Sequence, residues 1–129
     1  MSDEFILLVD NDKQSVDLLK LLLEYEDYKV DAVYSAEAAL SKVKFTRYSH
    51  FVLDFAMPGM KGDKLAARIR VEQPEACFML VTGFGSALGP SVFERFDYVF
   101  EKPVNPRNII QAIKQWHGRS GSKAVFVST

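Results

Sequence analysis

Short segments that are apolar at every position alternate along the chain with longer segments that are apolar at helical spacing. The segments FILLV at 5–9, FVL at 51–53 and CFMLV at 77–81 are typical of parallel strands buried on both faces. The segments YKVDAVY at 28–34 and YVF at 98–100 give weaker signals and predict strands nearer to a sheet edge. The pattern therefore predicts five short strands separated by helices.

The segments between the strands each carry one apolar stripe, which predicts amphipathic helices. Ser35 is placed to cap the second helix, Pro74 ends the third, and Asn105 followed by Pro106 marks the start of the last. The stripes consist of Val16, Leu19, Leu22 and Leu23 in the first helix, Ala36, Ala39, Leu40 and Val43 in the second, Leu65 and Ile69 in the third, and Ile109, Ile110, Ile113 and Trp116 in the last.

Two later segments have a different composition. The segment from 83 to 97 contains three glycines and Pro90, and it predicts a loop followed by a short helix at 91–96. Beyond Trp116 the residues GRSGSK are typical of a linker, and AVFVST is compatible with a frayed end, an extra edge strand or the start of a longer segment. We therefore expect one domain at 1–117 and a linker or tail at 118–129, either flexible or truncated.

Alternating strands and helices predict a doubly wound α/β sheet of parallel strands with helices on both faces, because parallel neighbours need right-handed crossovers.

A length of 129 residues suits one such domain, and a net charge of -1 offers no basic surface for nucleic acid. No apolar stretch approaches the roughly 18 residues of a membrane span. The single cysteine, Cys77, lies in an apolar run, as expected in a reducing compartment. We expect a cytoplasmic protein without direct nucleic-acid or membrane binding.

Four polar residues each follow a predicted strand: Asp10, Asp54, Thr82 and Lys102. They are expected to converge, because ligands of such sheets bind at the carboxyl ends of the strands. Two carboxylates about 4 Å apart repel by roughly 4 kcal/mol at an effective dielectric near 20, which calls for a cation between them. Magnesium accepts one or two carboxylates and a phosphate oxygen, and a hydroxyl and a lysine suit a phosphoryl group. The four residues predict a site for phosphoryl chemistry.

Four sequence blocks in the same order, ILLVDND, VLDFAMPGMKG, MLVTGFG and VFEKPVNP, resemble the signature blocks of the response-regulator receiver domain. The resemblance covers residues 5 to about 117. It implies the flavodoxin-like arrangement of five strands in the order 2-1-3-4-5. A receiver domain is a standard example of this strand order.

By the same resemblance, Asp54 accepts a phosphoryl group from a histidine kinase or a histidine phosphotransfer protein. Asp10 and the backbone carbonyl of Ala56 would belong to a magnesium site that includes Asp54, and Thr82 would be the switch hydroxyl. Lys102 would contact the phosphoryl group and precede a cis peptide bond to Pro103. The output would be a small rearrangement that changes binding to a downstream protein or to a second copy of the chain.

Three features depart from the family pattern. Receivers usually carry a second acid after the first, whereas this chain has Asn11, followed by Asp12. Asn11 can still donate an oxygen to the metal, but the missing charge is expected to weaken magnesium binding by about 1 to 3 kcal/mol. Asp12 is an accessory candidate, although we interpret it as the N-cap of the helix that begins near Lys13.

The other two departures concern the output surface. Val99 occupies a position where receivers usually have an aromatic switch residue, and the neighbouring Tyr98 and Phe100 are expected to point to the opposite face. The segment between Thr82 and Lys102 is about two residues shorter than is common in the family.

Other functions fit these residues less well. A dehalogenase-type phosphatase needs an acid where this chain has Ala56, and a flavodoxin needs a phosphate-binding loop where this chain has the acidic DNDKQ. His50 and His117 are expected to be structural or surface residues. The remaining alternative is a receiver-like interaction module with impaired phosphorylation, which Asn11 and Val99 favour and the combination of Asp54, Thr82 and Lys102 opposes.

Overall fold

A computed structural model describes residues 4–83, 87–118 and 124–127 of the chain. It contains one parallel sheet with the strand order β2-β1-β3-β4-β5-β6. The predicted fold class and the order 2-1-3-4-5 are confirmed, whereas the prediction of five strands is wrong by one. The strands are β1 (Phe5–Val9), β2 (Lys29–Val33), β3 (His50–Asp54), β4 (Cys77–Thr82), β5 (Tyr98–Glu101) and β6 (Val125–Val127), and the helices are α1 (Lys13–Tyr25), α2 (Ala36–Phe45), α3 (Gly62–Glu72), α4 (Pro90–Phe93) and α5 (Pro106–Gln115).

The sheet separates two apolar cores, because successive side chains of a strand point to opposite faces. In β1, Leu7 and Val9 lie in the core beneath α2, α3 and α4, and Ile6 and Leu8 lie in the core beneath α1 and α5. All five residues of the central strand β3 are buried. This two-sided burial explains the unbroken apolar runs within the central strands, at 51–53 in β3 and 77–81 in β4.

Polar side chains cap the N-termini of three helices. Asp12 accepts from the backbone N–H of Ser15 at α1, Ser35 accepts from Ala38 at α2, and Asn105 accepts from Arg107 at α5. Each side chain satisfies a first-turn N–H that has no partner within its helix. The predicted N-caps Asp12 and Ser35 are therefore confirmed, and so is the predicted start of the last helix at Pro106.

Helix α4 begins at Pro90 and ends at Phe93, so the predicted helix at 91–96 is wrong at both ends. Contacts beyond Phe93 explain the early end: the backbone carbonyl of Arg95 accepts from Nη2 of Arg70 at 2.6 Å, and Phe96 is buried. These contacts draw the chain back onto the sheet. Residues 84–86 of the predicted preceding loop lie outside the described residues.

The sixth strand comes from the segment that follows α5. Val125–Val127 runs parallel to β5, and the N–H of Val125 donates to the carbonyl of Asp97 at 2.9 Å. Of the three interpretations of this segment left open by the sequence, the described residues form an extra edge strand. Residues 119–123 of the predicted linker and residues 128–129 lie outside the described residues. Among the described helices, none has the length and apolarity needed to cross a membrane.

Candidate functional site

Asp54 is the last residue of β3, and its side chain is 4% exposed. Nζ of Lys102 lies 2.8 Å from its Oδ1. The backbone that carries Asp54 is fixed against the neighbouring strand, because the N–H of Phe55 donates to the carbonyl of Val81 at 2.9 Å. The sheet thus holds a buried carboxylate in contact with an ammonium group that remains 43% exposed.

Asp10 follows β1 and lies near this ion pair. Burial raises its pKa, the N–H of Asp12 opposes that effect by donating to Oδ1 at 2.9 Å, and the charge of Asp54 raises the pKa further. A cation at this position would favour the charged form of Asp10. The two acids that the sequence predicted to converge are therefore close enough to influence each other.

Asp12 has a different environment. Its Oδ2 accepts from the hydroxyl of Ser15 at 2.9 Å, and its Oδ1 accepts from the backbone N–H of Ser15. These two hydrogen bonds lower the pKa of Asp12. The side chain is exposed and acts as the N-cap of α1. Its geometry supports the structural interpretation made from the sequence.

Lys102 is held by the acids around it. Burial acts to lower the pKa of Lys102, but the hydrogen bond and the charge of Asp54 outweigh it, and Asp10 and Asp12 act in the same direction. The net effect is a pKa above the usual lysine value. Lys102 is therefore positively charged at any physiological pH and partly neutralises the acidic pocket.

Thr82 is the last residue of β4 and is buried. Its backbone carbonyl accepts from the N–H of Lys102 at 2.9 Å, which ties the end of β4 to the end of β5. The peptide bond between Lys102 and Pro103 is cis. A displacement of either strand end would consequently be transmitted to the other.

The loop after Asp54 returns tightly to the sheet. Gly59 has a φ of +85°, which favours glycine, and the N–H of Gly62 donates to the carbonyl of Phe55 at 2.9 Å. A Cβ atom at Gly62 would lie 2.5 Å from the carbonyl oxygen of Asp54. The sequence analysis did not identify this close approach; a glycine eight residues after the acid was the available signal.

Asp10 and Asp54 would supply the two carboxylates of a metal site. Asn11, which follows Asp10, and Ala56, two residues after Asp54, are both exposed. Two carboxylates with neutral oxygen donors and water suit magnesium. Within the described ranges, no group of three or more His, Cys, Asp and Glu side chains forms a metal cluster. The donor set fits a weakly held, partly hydrated magnesium ion.

A cavity of about 570 Å³ opens beside these residues, between α1 and α5. Asp10, Asp54 and Lys102 lie along it, and its remaining wall is mainly apolar. The buried carboxylate therefore faces an open space rather than packed hydrocarbon.

The predicted orientations on β5 are confirmed. Val99 is buried in the core beneath α4, whereas Phe100 belongs to the core beneath α5 and Tyr98 packs against that same core. The two aromatic rings stack with centroids 6.2 Å apart. No aromatic side chain of β5 itself therefore points toward α4.

Comparisons with known proteins agree with this geometry. The sequence model of the response regulator receiver domain matches residues 6–114. The transcriptional regulatory protein YvrH of Bacillus subtilis is 36% identical over 118 residues, which cover 88% of this chain and 49% of YvrH. The chain spans about half the length of the curated relatives it matches.

Two solved structures share the fold. A CheY-like receiver domain protein from Methanospirillum hungatei aligns with a TM-score of 0.79 and 30% identity, covering 88% of this chain and 93% of that one. The response regulator TrrA of Thermotoga maritima, solved in complex with Mg²⁺–BeF, aligns with a TM-score of 0.79 and 28% identity, covering 87% and 97%. The chain belongs to the response regulator receiver domain family, whose members are signalling domains of two-component systems.

Proposed function

We propose that this receiver accepts a phosphoryl group on Asp54 from a phosphohistidine of a histidine kinase or phosphotransfer protein, with magnesium as cofactor. The observation that carries the proposal is the contact between Lys102 Nζ and Oδ1 of the buried Asp54, at 2.8 Å. A buried carboxylate is costly to maintain, and an ion pair with a lysine offsets that cost only in part. Its position beside an open cavity favours a chemical role.

In the proposed reaction a carboxylate oxygen of Asp54 attacks phosphorus, an acyl phosphate bond forms, and the phosphorus–nitrogen bond of phosphohistidine breaks. The leaving imidazole takes up a proton. Lys102 would move from the carboxylate to a phosphoryl oxygen, keeping its ion pair within the same site. Thr82 would donate its hydroxyl to another phosphoryl oxygen.

Magnesium would be held by Asp10 and Asp54, with Asn11 and the carbonyl of Ala56 as neutral oxygen ligands. Bound there, it would neutralise charge that develops on the phosphoryl oxygens. Because Asn11 replaces an acid, we propose that binding is weaker than in receivers with a full acidic pair. The ammonium group of Lys102 would also repel a divalent cation, although it neutralises part of the charge of Asp54 when no metal is bound.

The same geometry suggests how the signal leaves the site. The hydrogen bond from Lys102 N–H to the Thr82 carbonyl joins the ends of β4 and β5. A phosphoryl group that draws in Thr82 and Lys102 would therefore shift β5 and the surface next to it. A partner protein that binds the shifted form better would stabilise it.

The proposal is tested by incubating the protein with acetyl phosphate and magnesium and measuring intact mass. We expect the mass of one phosphoryl group on the native chain and none on Asp54→Asn. Asp63→Asn, which changes another acid in the first turn of α3, is the matched control and is expected to label normally. Equal labelling of Asp54→Asn and the native chain would refute the assignment of Asp54.

The second candidate is an interaction module whose phosphorylation is impaired. The observations in its favour are the exposed amide of Asn11 in place of an acid and the buried Val99 in place of an aromatic residue. Asn11→Asp separates the two candidates: if the native chain stays unlabelled at high magnesium while Asn11→Asp is labelled, the impaired module is the correct description.

A further inference from the structure

We propose that the outer edge of β5 is a strand-addition site, and that residues 124–127 of a second copy can fill it in place of the chain's own strand. The result is a strand-exchanged dimer. Three features of β6 support this exchange independently of phosphorylation: how the strand is seated, how much of it is buried, and how it is connected.

The seat of β6, by which we mean its pairing with β5 and the side chains around it, shows what kind of segment the edge of β5 accepts. The β5 residues Tyr98, Val99 and Phe100 pair in register with the three residues of β6, in chain order. An extended segment that adds to a sheet edge gains affinity from main-chain hydrogen bonds and specificity from alternate side chains. The edge therefore fits a short extended peptide that runs parallel to β5.

Side chains on both faces of β6 contribute to the seat. The ring of Phe126 packs edge-on against Phe93 of α4, with centroids 4.6 Å apart and an interplanar angle of 79°. Ala124 packs against the core beneath α4, and Val127 packs against the core beneath α5. Phe126 is the aromatic anchor of the segment.

The hold on β6 is nevertheless limited. The strand has three residues, and Val125 and Phe126 remain 49% and 55% exposed. A short strand with little buried apolar surface opens at low cost. By contrast, the β5 residues Val99 and Phe100 are 1% exposed, so the seat stays formed by the rest of the sheet.

A second copy is the occupant that the chemistry of the edge favours. Its residues 124–127 offer the same side chains, so exchange replaces every contact by an identical one. The sequence from Gly118 to Lys123 is rich in glycine and serine, a composition typical of linkers. Such a composition suits a segment that lets residues 124–127 pair with β5 of the same chain or of a second copy. The net charge of -1 gives two copies little mutual repulsion.

Cysteine cross-linking between two full-length chains tests the inference. One chain carries Tyr98→Cys and a second, of different mass, carries Val125→Cys, so that the two thiols meet in register only if the strand is exchanged. The native Cys77 is buried and common to all samples. Val71→Cys, at a position 83% exposed on α3, replaces Tyr98→Cys in the matched control for random collision.

We expect the mixed disulfide dimer of the 98/125 pair to exceed that of the 71/125 pair at least fivefold after incubation at high protein concentration. Adding Phe126→Asp to the Val125→Cys chain is expected to reduce the yield to the control level. A 98/125 yield equal to the control would overturn the inference. So would a high yield that Phe126→Asp leaves unchanged, because the anchor would then have no part in the contact.

A chain that carries both Tyr98→Cys and Val125→Cys guards against a failure of the chemistry. Its intrachain disulfide would show that positions 98 and 125 can be joined. If that bond forms but the two single-cysteine chains do not cross-link with each other, the result counts directly against exchange. Absence of the intrachain bond would contradict the seat of β6 itself and overturn the inference at its first step. Labelling of Asp54 by acetyl phosphate is expected to be normal in the Phe126→Asp chain, which separates this test from that of the proposed function.

Discussion

Replacing Gly62 by alanine is expected to destabilise the fold and disturb Asp54, although a change from glycine to alanine within a helix normally stabilises. Gly62 is the first residue of α3. Helix propensity alone would favour alanine by up to about 1 kcal/mol. The opposing effect is steric, because the new Cβ would lie 2.5 Å from the carbonyl oxygen of Asp54 and 3.0 Å from Cα of Phe55.

The size of the steric effect follows from these contacts. Both neighbours are backbone atoms, and carbon–oxygen contacts below 3.0 Å are essentially never seen at Cβ, so the backbone must shift by at least about 0.5 Å. Overpacking of this kind costs about 1 to 3 kcal/mol. A shift of this size at Asp54 is also large enough to disturb a catalytic geometry, which must hold to within about 0.5 Å.

Urea unfolding and the rate of labelling by acetyl phosphate are the two measurements. We expect Gly62→Ala to lower the unfolding midpoint with an unchanged slope and to slow labelling. Gly83→Ala is the matched control for stability, because a Cβ there meets nothing within 4 Å and the residue does not have a left-handed φ. A Gly62→Ala chain as stable as the native one, with normal labelling, would show that the close approach to Asp54 places no constraint on the fold.

Three further predictions concern separate parts of the molecule. His50 is buried with no hydrogen-bond partner on Nε2, and burial lowers its pKa to about 4 from 6.5 in the unfolded chain. The unfolded state therefore takes up more protons as the pH falls from 6.5 to 4, and stability should drop by about 3 kcal/mol over that window. His50→Gln should flatten this part of the stability curve in pH-dependent urea unfolding, and a curve as steep as that of the native chain would contradict the assignment to His50. Gln73 donates to the carbonyls of Val43 and Thr46 and accepts from the N–H of Tyr48. Gln73→Met should lower the free energy of unfolding by about 3 kcal/mol, because it leaves buried backbone groups unsatisfied, whereas the exposed Gln111→Met should change it little. Asn11→Asp should tighten magnesium binding tenfold or more in a calorimetric titration, and an unchanged affinity would show that the missing charge is compensated elsewhere.

The sequence predicted the parts of the fold that depend on local patterns. The all-apolar segments located the central strands, and the side-chain alternation placed Val99 on one face with Tyr98 and Phe100 on the other. Asp12 and Ser35 were identified as caps, and Pro106 as a helix start, because a helix start is decided within about four residues. The convergence of Asp10 and Asp54 followed from topology, since both end parallel strands.

The features that were missed depend on contacts between distant segments. Helix α4 ends early because of Arg70 and the burial of Phe96, neither of which belongs to the local helical pattern. The strand Val125–Val127 is too short to identify without the edge of β5 beside it. The approach of Gly62 to the carbonyl of Asp54 is a property of the folded backbone and left only a glycine in the sequence.

The other edge of the sheet, formed by β2, limits which assemblies could form if β6 left the edge of β5. The outer strand β2 begins with Lys29, whose ammonium lies over the ring of Phe5 at 4.5 Å, and Asp31 in its middle accepts from the Tyr48 hydroxyl at 2.6 Å. Charged side chains on an outer strand oppose the addition of further strands. Edge-to-edge pairing of two sheets is therefore opposed at β2, and the addition of a strand from another chain should be confined to the β5 side of the sheet.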